Sequence, residues 1–242
     1  MSNHDEIQSF YDDVYYKNAN GNITPSRHLR NLAEKYVQSG DRVLDVACGT
    51  GHWLMAARER GAIPSGIDLS GKAISICRAN MPAGEFHAGP AESLPFPDNS
   101  FDVITCLGSL EHFLDPVSAV REMVGVSRDN ALFIILVPNS GFLTRRLGLY
   151  QGTYQTAAKE EVRTLDAWNG IFESGGLTVK KRWKDLHVVS WSWISSAGWL
   201  QTPLRALQAF TLPFWPVSWQ YQVYHLLVTA NEAAAPATKK SA

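Results

Sequence analysis

The strongest chemical signal is the run Val43-Leu44-Asp45-Val46-Ala47-Cys48-Gly49-Thr50-Gly51. An apolar stretch leads straight into two glycines, and helix-compatible sequence follows. Glycine has no Cβ, so a bound ligand can approach the backbone there and the turn can take positive φ. A glycine turn after a strand indicates a nucleotide-like ligand and no more; Gly49 and Gly51 could equally be plain turn residues. Two details narrow the choice. Asp45 lies inside the strand, ahead of the glycines, where a carboxylate could face a cationic amino-acid group. The third glycine of a dinucleotide fingerprint is missing, because Leu54 occupies its position. The next strand ends Gly66-Ile67-Asp68-Leu69-Ser70, with Asp68 19 residues beyond Gly49, the span of one β-α-β unit. An acid there can accept two hydrogen bonds from ribose hydroxyls, or it can cap the helix that starts at Ser70.

These residues need a frame that ends several strands at one edge. Short apolar runs at Arg42–Ala47, Ile63–Asp68, Phe101–Cys106 and Ala131–Val137 read as buried parallel strands, the last two being the fourth and fifth. Helices are expected at Gly51–Arg60, Ser70–Asn80 and Pro116–Val126, the last with Asp115 as its cap and Pro116 in its first turn. Two more are expected at Asp5–Lys17 and Ser26–Gln38, joined by the turn-rich Asn18-Ala19-Asn20-Gly21-Asn22. A long loop from Pro138 to Arg163 has the length of a functional lid. A helix at Leu165–Ser174, capped by Thr164 and ended by Gly175-Gly176, then leads to strands at Leu177–Trp183 and Gln220–Val228. The alternation predicts an α/β fold, a parallel sheet with helices on both faces.

The segment Val188–Val228 carries one formally charged residue, Arg205, and five of the eight tryptophans: Trp191, Trp193, Trp199, Trp215 and Trp219. Pro203, Pro213 and Pro216 prevent one long helix. Thr202-Pro203 can start a short one whose Leu204, Leu207 and Phe210 share a face. The segment reads as an insertion before the last strand. The chain thus divides into a helical N-terminal lid (1–40), a ligand-binding domain (41–229) with an acceptor loop (138–163) and an apolar insertion (191–218), and a tail (230–242) expected to be disordered.

Composition bounds the function. The chain has 242 residues, a net charge of -1 and no basic run, which argues against a nucleic-acid partner. Its three cysteines (Cys48, Cys77, Cys106) form no C-x-x-C pair. That spacing suits neither a disulfide framework nor a metal site and fits a reducing cytoplasm. Neither a signal peptide nor an apolar run of membrane-spanning length is expected from the sequence.

On the run VLDVACGTG, on GIDLS, on AESLPFPDNSFDVITC (Ala91–Cys106) and on Leu110-Glu111-His112-Phe113, the sequence resembles the class I S-adenosylmethionine-dependent methyltransferases. The likeness is to the type 11 group, similar to the ubiquinone/menaquinone-biosynthesis enzymes, and covers roughly residues 25–190. It implies a Rossmann-like, doubly wound, seven-stranded, mostly parallel sheet with an antiparallel last strand. It implies S-adenosylmethionine as cofactor, with S-adenosylhomocysteine as product and no metal. Asp45, Ala47 and the Gly49–Gly51 loop would hold its methionine part, Asp68 the ribose, Leu69 the adenine face, and Ala91 and Glu92 the adenine edge. Leu107 would help close the pocket, and Tyr11 would close it from the N-terminal segment. One departure stands out. Relatives commonly read Gly-Asp-Ala-Glu where this chain reads Gly89-Pro90-Ala91-Glu92, so a hydrogen bond to the adenine amino group is lost, worth about 1 kcal/mol. Weakened or rearranged cofactor binding is expected.

The sulfonium methyl is already reactive, so alignment and exclusion of water matter most, and a hydroxyl acceptor also benefits from a base. His112 is the candidate base, because it follows the fourth strand at the carboxyl edge; alternatively it orders the loop together with Glu111. The aromatics Phe10, Tyr11, Tyr15 and Tyr16 could form a lid or simply pack on the sheet. Arg145 and Arg146 could hold an anionic acceptor, with Tyr150 and Tyr154 beside them, or stand solvated. The tryptophan-rich insertion suits a wall for an apolar acceptor, a homodimer interface or peripheral membrane contact, the last disfavoured by its lack of lysine. The leading reading is O-methylation of a small molecule: a sugar, a lipid-linked intermediate or an aromatic metabolite. N- or C-methylation is nearly as compatible. A nicotinamide oxidoreductase is disfavoured by Leu54 and Asp45, and a non-catalytic cofactor-binding partner subunit is motivated by Pro90 and the insertion.

Overall fold

The computed structural model describes residues 3–17, 19, 21–148, 160–186 and 202–234. Seven strands form its centre: β1 (Arg42–Val46), β2 (Ile63–Asp68), β3 (Glu85–Ala88), β4 (Phe101–Leu107), β5 (Ser127–Pro138), β6 (Leu177–Lys184) and β7 (Gln222–Thr229). They lie in the order β3-β2-β1-β4-β5-β7-β6. The first five pair in parallel, whereas β7 runs antiparallel to both β5 and β6. The chain order reverses at β1, so β1 and β4 diverge to opposite sides of a crevice at their carboxyl ends. Open α/β sheets bind ligands at that kind of switch point.

Helices α1 (Asn3–Phe10), α2 (Arg27–Tyr36), α3 (His52–Glu59), α4 (Gly71–Asn80), α5 (Pro116–Val126), α6 (Leu143–Arg146) and α7 (Leu165–Ser174) surround the sheet. Strand side chains alternate between two faces, and each face has its own core. Leu44, Val46, Ile104, Cys106, Phe133, Ile135 and Val137 pack with α5 and α7. Val43, Val103, Ile134 and Leu136 pack with α2, α3 and α4 on the other side. Local chemistry fixes the helix starts: the side chains of Ser70, Asp115 and Thr164 accept hydrogen bonds from the amides of Ala73, Ser118 and Ala167. Trp168 is fully buried on α7, and its ring N–H donates to the Pro138 carbonyl at 2.7 Å. That bond ties α7 to the end of β5.

Several elements differ from expectation. The edge strand β3 reads Glu-Phe-His-Ala, with one buried side chain, so no apolar run marks it. The N-terminal helix is interrupted: after Phe10 the chain widens into a π-helical turn, Tyr11–Tyr15. Residues 230–234 form a short helix where a structureless tail is expected. The predicted helix after Thr202 runs to Thr211, but Leu207 and Phe210 face outward, 60% and 74% exposed. Trp191, Trp193 and Trp199 of the tryptophan-rich segment, and Tyr150 and Tyr154 of the loop after β5, lie outside the described residues. Among the described residues, no helix is long and apolar enough to cross a membrane.

Candidate functional site

A cavity of about 280 Å³ opens at the carboxyl ends of β1, β2 and β4. The turn after β1 forms one wall through strained backbone. Ala47 takes φ 61°, unusual for a residue with a side chain, and Gly49 and Gly51 follow at 53° and 86°. Non-glycine residues at positive φ cluster at ligand sites because surrounding structure must hold them there. A Cβ on Gly49 would stand 2.7 Å from the Tyr16 hydroxyl, and one on Gly51 would stand 2.8 Å from Met81 Cε. Both glycines are therefore required by conformation, and the Cys77 sulfur, 2.9 Å from the same position, adds a limit of space at Gly51.

Asp68 ends β2 at the cavity wall, 8% exposed. Its Oδ2 accepts from the Gly49 amide at 2.8 Å and its Oδ1 from the Ser70 amide at 2.9 Å. The carboxylate therefore pins the glycine loop to the start of α4, while Ser70 supplies the cap. Each oxygen keeps accepting capacity for a ligand hydroxyl. Burial raises the Asp68 pKa, and the two amide bonds oppose that rise. Asp45 stands one layer deeper, 4% exposed, where its Oδ1 accepts from the Thr105 hydroxyl at 2.6 Å. Burial pushes its carboxyl up to about 7, against the Thr105 hydrogen bond. A cation arriving nearby would favour the ionised form again.

The N-terminal segment closes the other side. His4, Ile7, Phe10, Tyr11, Tyr15 and Tyr16 all reach the cavity. Asp12 anchors the segment, accepting from the Ser70 hydroxyl and, at 3.3 Å, from the Lys72 amide. Burial, with the Asp68 charge behind it, holds the Tyr11 hydroxyl up at about 12.

Ala91, Glu92 and Leu69 also line the cavity. The Glu92 carboxylate is also engaged in structure: its Oε1 accepts from the amides of Leu114 and Asp115 at 3.1 and 3.2 Å. Asp45, Gly49, Gly51 and Leu107 are not on the cavity wall. The first three stand in or behind the glycine turn, and Leu107 packs against the core on the α2–α4 face. Arg145 and Arg146 are exposed on α6 and are not brought to the cavity.

His112 does reach the cavity, from a single 3-10 turn, Leu110–His112, just after β4. Three further wall residues went unassigned in the sequence. Glu111 is 4% exposed, and its Oε2 has no hydrogen-bond partner among the described residues. Burial pushes its carboxyl up to about 8, with the Glu160 charge adding to the rise. The stretch 160–163 returns across the sheet edge, with the Glu161 amide donating to the Glu111 carbonyl at 3.0 Å and a bridge joining Asn139 to Arg163. Glu160 thereby reaches the wall, where the Tyr221 hydroxyl donates to it at 2.8 Å. Glu111 was visible in the Leu-Glu-His-Phe motif. Nothing local in the sequence links it to Glu160 or Tyr221.

Residues 44–135 match the methyltransferase domain family of the type 11 group. The chain is 28% identical over 167 residues to the uncharacterized methyltransferase YcgJ of Bacillus subtilis, covering 65% of this chain and 65% of that one. It is 28% identical over 213 residues to a demethylmenaquinone methyltransferase of Renibacterium salmoninarum, covering 84% and 87%. In fold it is similar to a chain in the complex of the Haloferax volcanii Trm112 methyltransferase activator with a methyltransferase: TM-score 0.65, 17% identity, 94% and 97% covered. Over these stretches the chain is similar in sequence to methyltransferases, and it shares their fold.

Proposed function

We propose that the protein transfers the methyl group of S-adenosylmethionine to a hydroxyl of a small molecule: a sugar, a lipid-linked intermediate or an aromatic metabolite. The observation that carries this reading is the single cavity wall shared by Asp68, Leu69, Ala91 and Glu92 on one side and by Glu111 and His112 on the other. The first set fits the adenosine half of the cofactor. Asp68 would accept from the ribose hydroxyls with its free lone pairs. Asp45, one layer behind the strained Ala47–Gly51 turn, would favour the positive charge of the methionine end. The relative named for demethylmenaquinone supports the aromatic or lipid-linked end of the range.

The cofactor supplies an electrophilic methyl. The chain's own residues would orient the acceptor behind it, exclude water through the N-terminal aromatics, and accept the hydroxyl proton. His112 is the candidate base. Glu111, adjacent on the same turn with its carboxyl held up at about 8, is a second candidate. N-methylation is a second reading, favoured by one observation: among the described residues, four carboxyl groups and no lysine or arginine line the cavity.

The test uses methyl-labelled S-adenosylmethionine, purified protein and an extract of a strain lacking the gene. Label is counted in the lipid, soluble and macromolecular fractions. Label in the lipid or soluble small-molecule fraction supports the proposal and separates lipid-linked from soluble acceptors. Label confined to macromolecules, or none with cofactor binding confirmed, refutes it.

A further inference from the structure

The cavity wall carries more carboxyl groups than cofactor binding accounts for. Asp68 and Glu92 have the roles given above, and their oxygens accept backbone amides. Glu111 and Glu160 stand on the same wall without a part in holding the cofactor. They approach each other closely enough for the Glu160 charge to act on Glu111. Burying a polar oxygen without a partner is costly. Among the described residues, Glu111 Oε2 is such an oxygen, on a side chain only 4% exposed. The surroundings are aromatic: Tyr15, Phe113 and Tyr221 also line this cavity. Carboxylates together with aromatic faces select a cation in a partly desolvated site, and the exposed Arg145 and Arg146 do not reach in to reverse that charge.

We propose that Glu111 and Glu160 bind a protonated amino group of the methyl acceptor, so that the acceptor class is an amine-bearing small molecule. Glu111 meets the cation through the oxygen that otherwise has no partner. Glu160, steadied by the hydrogen bond from Tyr221, supplies the second carboxylate. Anionic acceptors are repelled. This inference rests on the reading of the cavity as a joint cofactor and acceptor site.

The test is calorimetric titration of the full chain, saturated with S-adenosylhomocysteine, with three probes of similar size: benzylamine, benzyl alcohol and benzoate. Benzylamine should bind at least tenfold more tightly than benzyl alcohol, and benzoate more weakly than either. Glu111→Gln should remove at least tenfold of the amine preference and leave the S-adenosylhomocysteine Kd within twofold. If benzylamine binds no more tightly than benzyl alcohol, including the case where neither binds, the proposal is overturned. The same holds if the preference survives in Glu111→Gln. Should Glu111→Gln fail to bind S-adenosylhomocysteine, Glu160→Gln decides: a lost preference supports the proposal and a retained one overturns it. Failure of the wild-type chain to bind S-adenosylhomocysteine would instead strike the functional reading beneath it.

Discussion

Glu111→Gln also isolates the energetic consequence of burying that carboxyl, because glutamine keeps the shape and removes the titration. The wild-type group rises from the ordinary 4.5 to about 8, chiefly through burial. In the native state it therefore holds its proton more tightly than in the unfolded chain. As pH climbs through 4.5 the unfolded chain releases the proton and the native protein does not, so native stability falls with pH. The fall ends near pH 8, where the native group ionises too. Each unit of displacement is worth about 1.4 kcal/mol, so the wild type should lose on the order of 4 kcal/mol relative to the variant between pH 5 and pH 9. Any packing or hydrogen-bond change from the amide adds a constant offset and leaves that slope untouched. Asp45 titrates in the same window, since burial raises it to about 7, but it does so in both proteins and cancels. The assay is urea denaturation of wild type and variant at pH 5, 6, 7, 8 and 9 with the same probe. The stability difference should grow in favour of the variant by at least about 2 kcal/mol across this range. Parallel profiles would refute the argument, because they would mean that Glu111 ionises alike in the native and unfolded chains.

Asp68→Ala removes the carboxylate that holds Gly49 and Ser70 and faces the proposed ribose site; S-adenosylhomocysteine affinity should fall at least tenfold by calorimetry, and an unchanged Kd would leave Asp68 a purely structural anchor. Deleting residues 1–20 strips the aromatic side of the cavity and should raise the same Kd at least tenfold, whereas an unaltered value would reduce that segment to packing. His112→Ala should lower turnover at least tenfold while cofactor Kd stays constant; full turnover would remove His112 as the base. Trp168→Ala empties a fully buried site and breaks the bond to the Pro138 carbonyl, so it should destabilise the fold by about 3–5 kcal/mol in denaturant titration, and a loss under 1 kcal/mol would contradict the packing described.

Much of the architecture was written in local patterns. The runs at Ile63–Asp68 and Pro116–Val126 match their elements residue for residue, and Asp115 and Thr164 cap the helices expected of them. Such signals depend on side-chain period and on hydrogen bonds across three residues, so the sequence alone contains them. The glycine turn and Asp68 were legible for the same reason: one β-α-β unit brings them together across 19 residues. The polar edge strand β3 and the widened turn at Tyr11–Tyr15 were not, because neither carries a distinctive apolar period. The same limit applied to the acidic end of the cavity. Glu111, Glu160 and Tyr221 lie on three connections far apart in the chain, and only the sheet order, with β7 returning between β5 and β6, sets them side by side. Arg145 and Arg146, attractive as residue types, point to solvent. The sequence by itself determined the alternation of strands and helices and the glycine turn, because those are short-range. Tertiary structure decided which carboxyl groups share the cavity wall, because electrostatic environment is a property of neighbours in space.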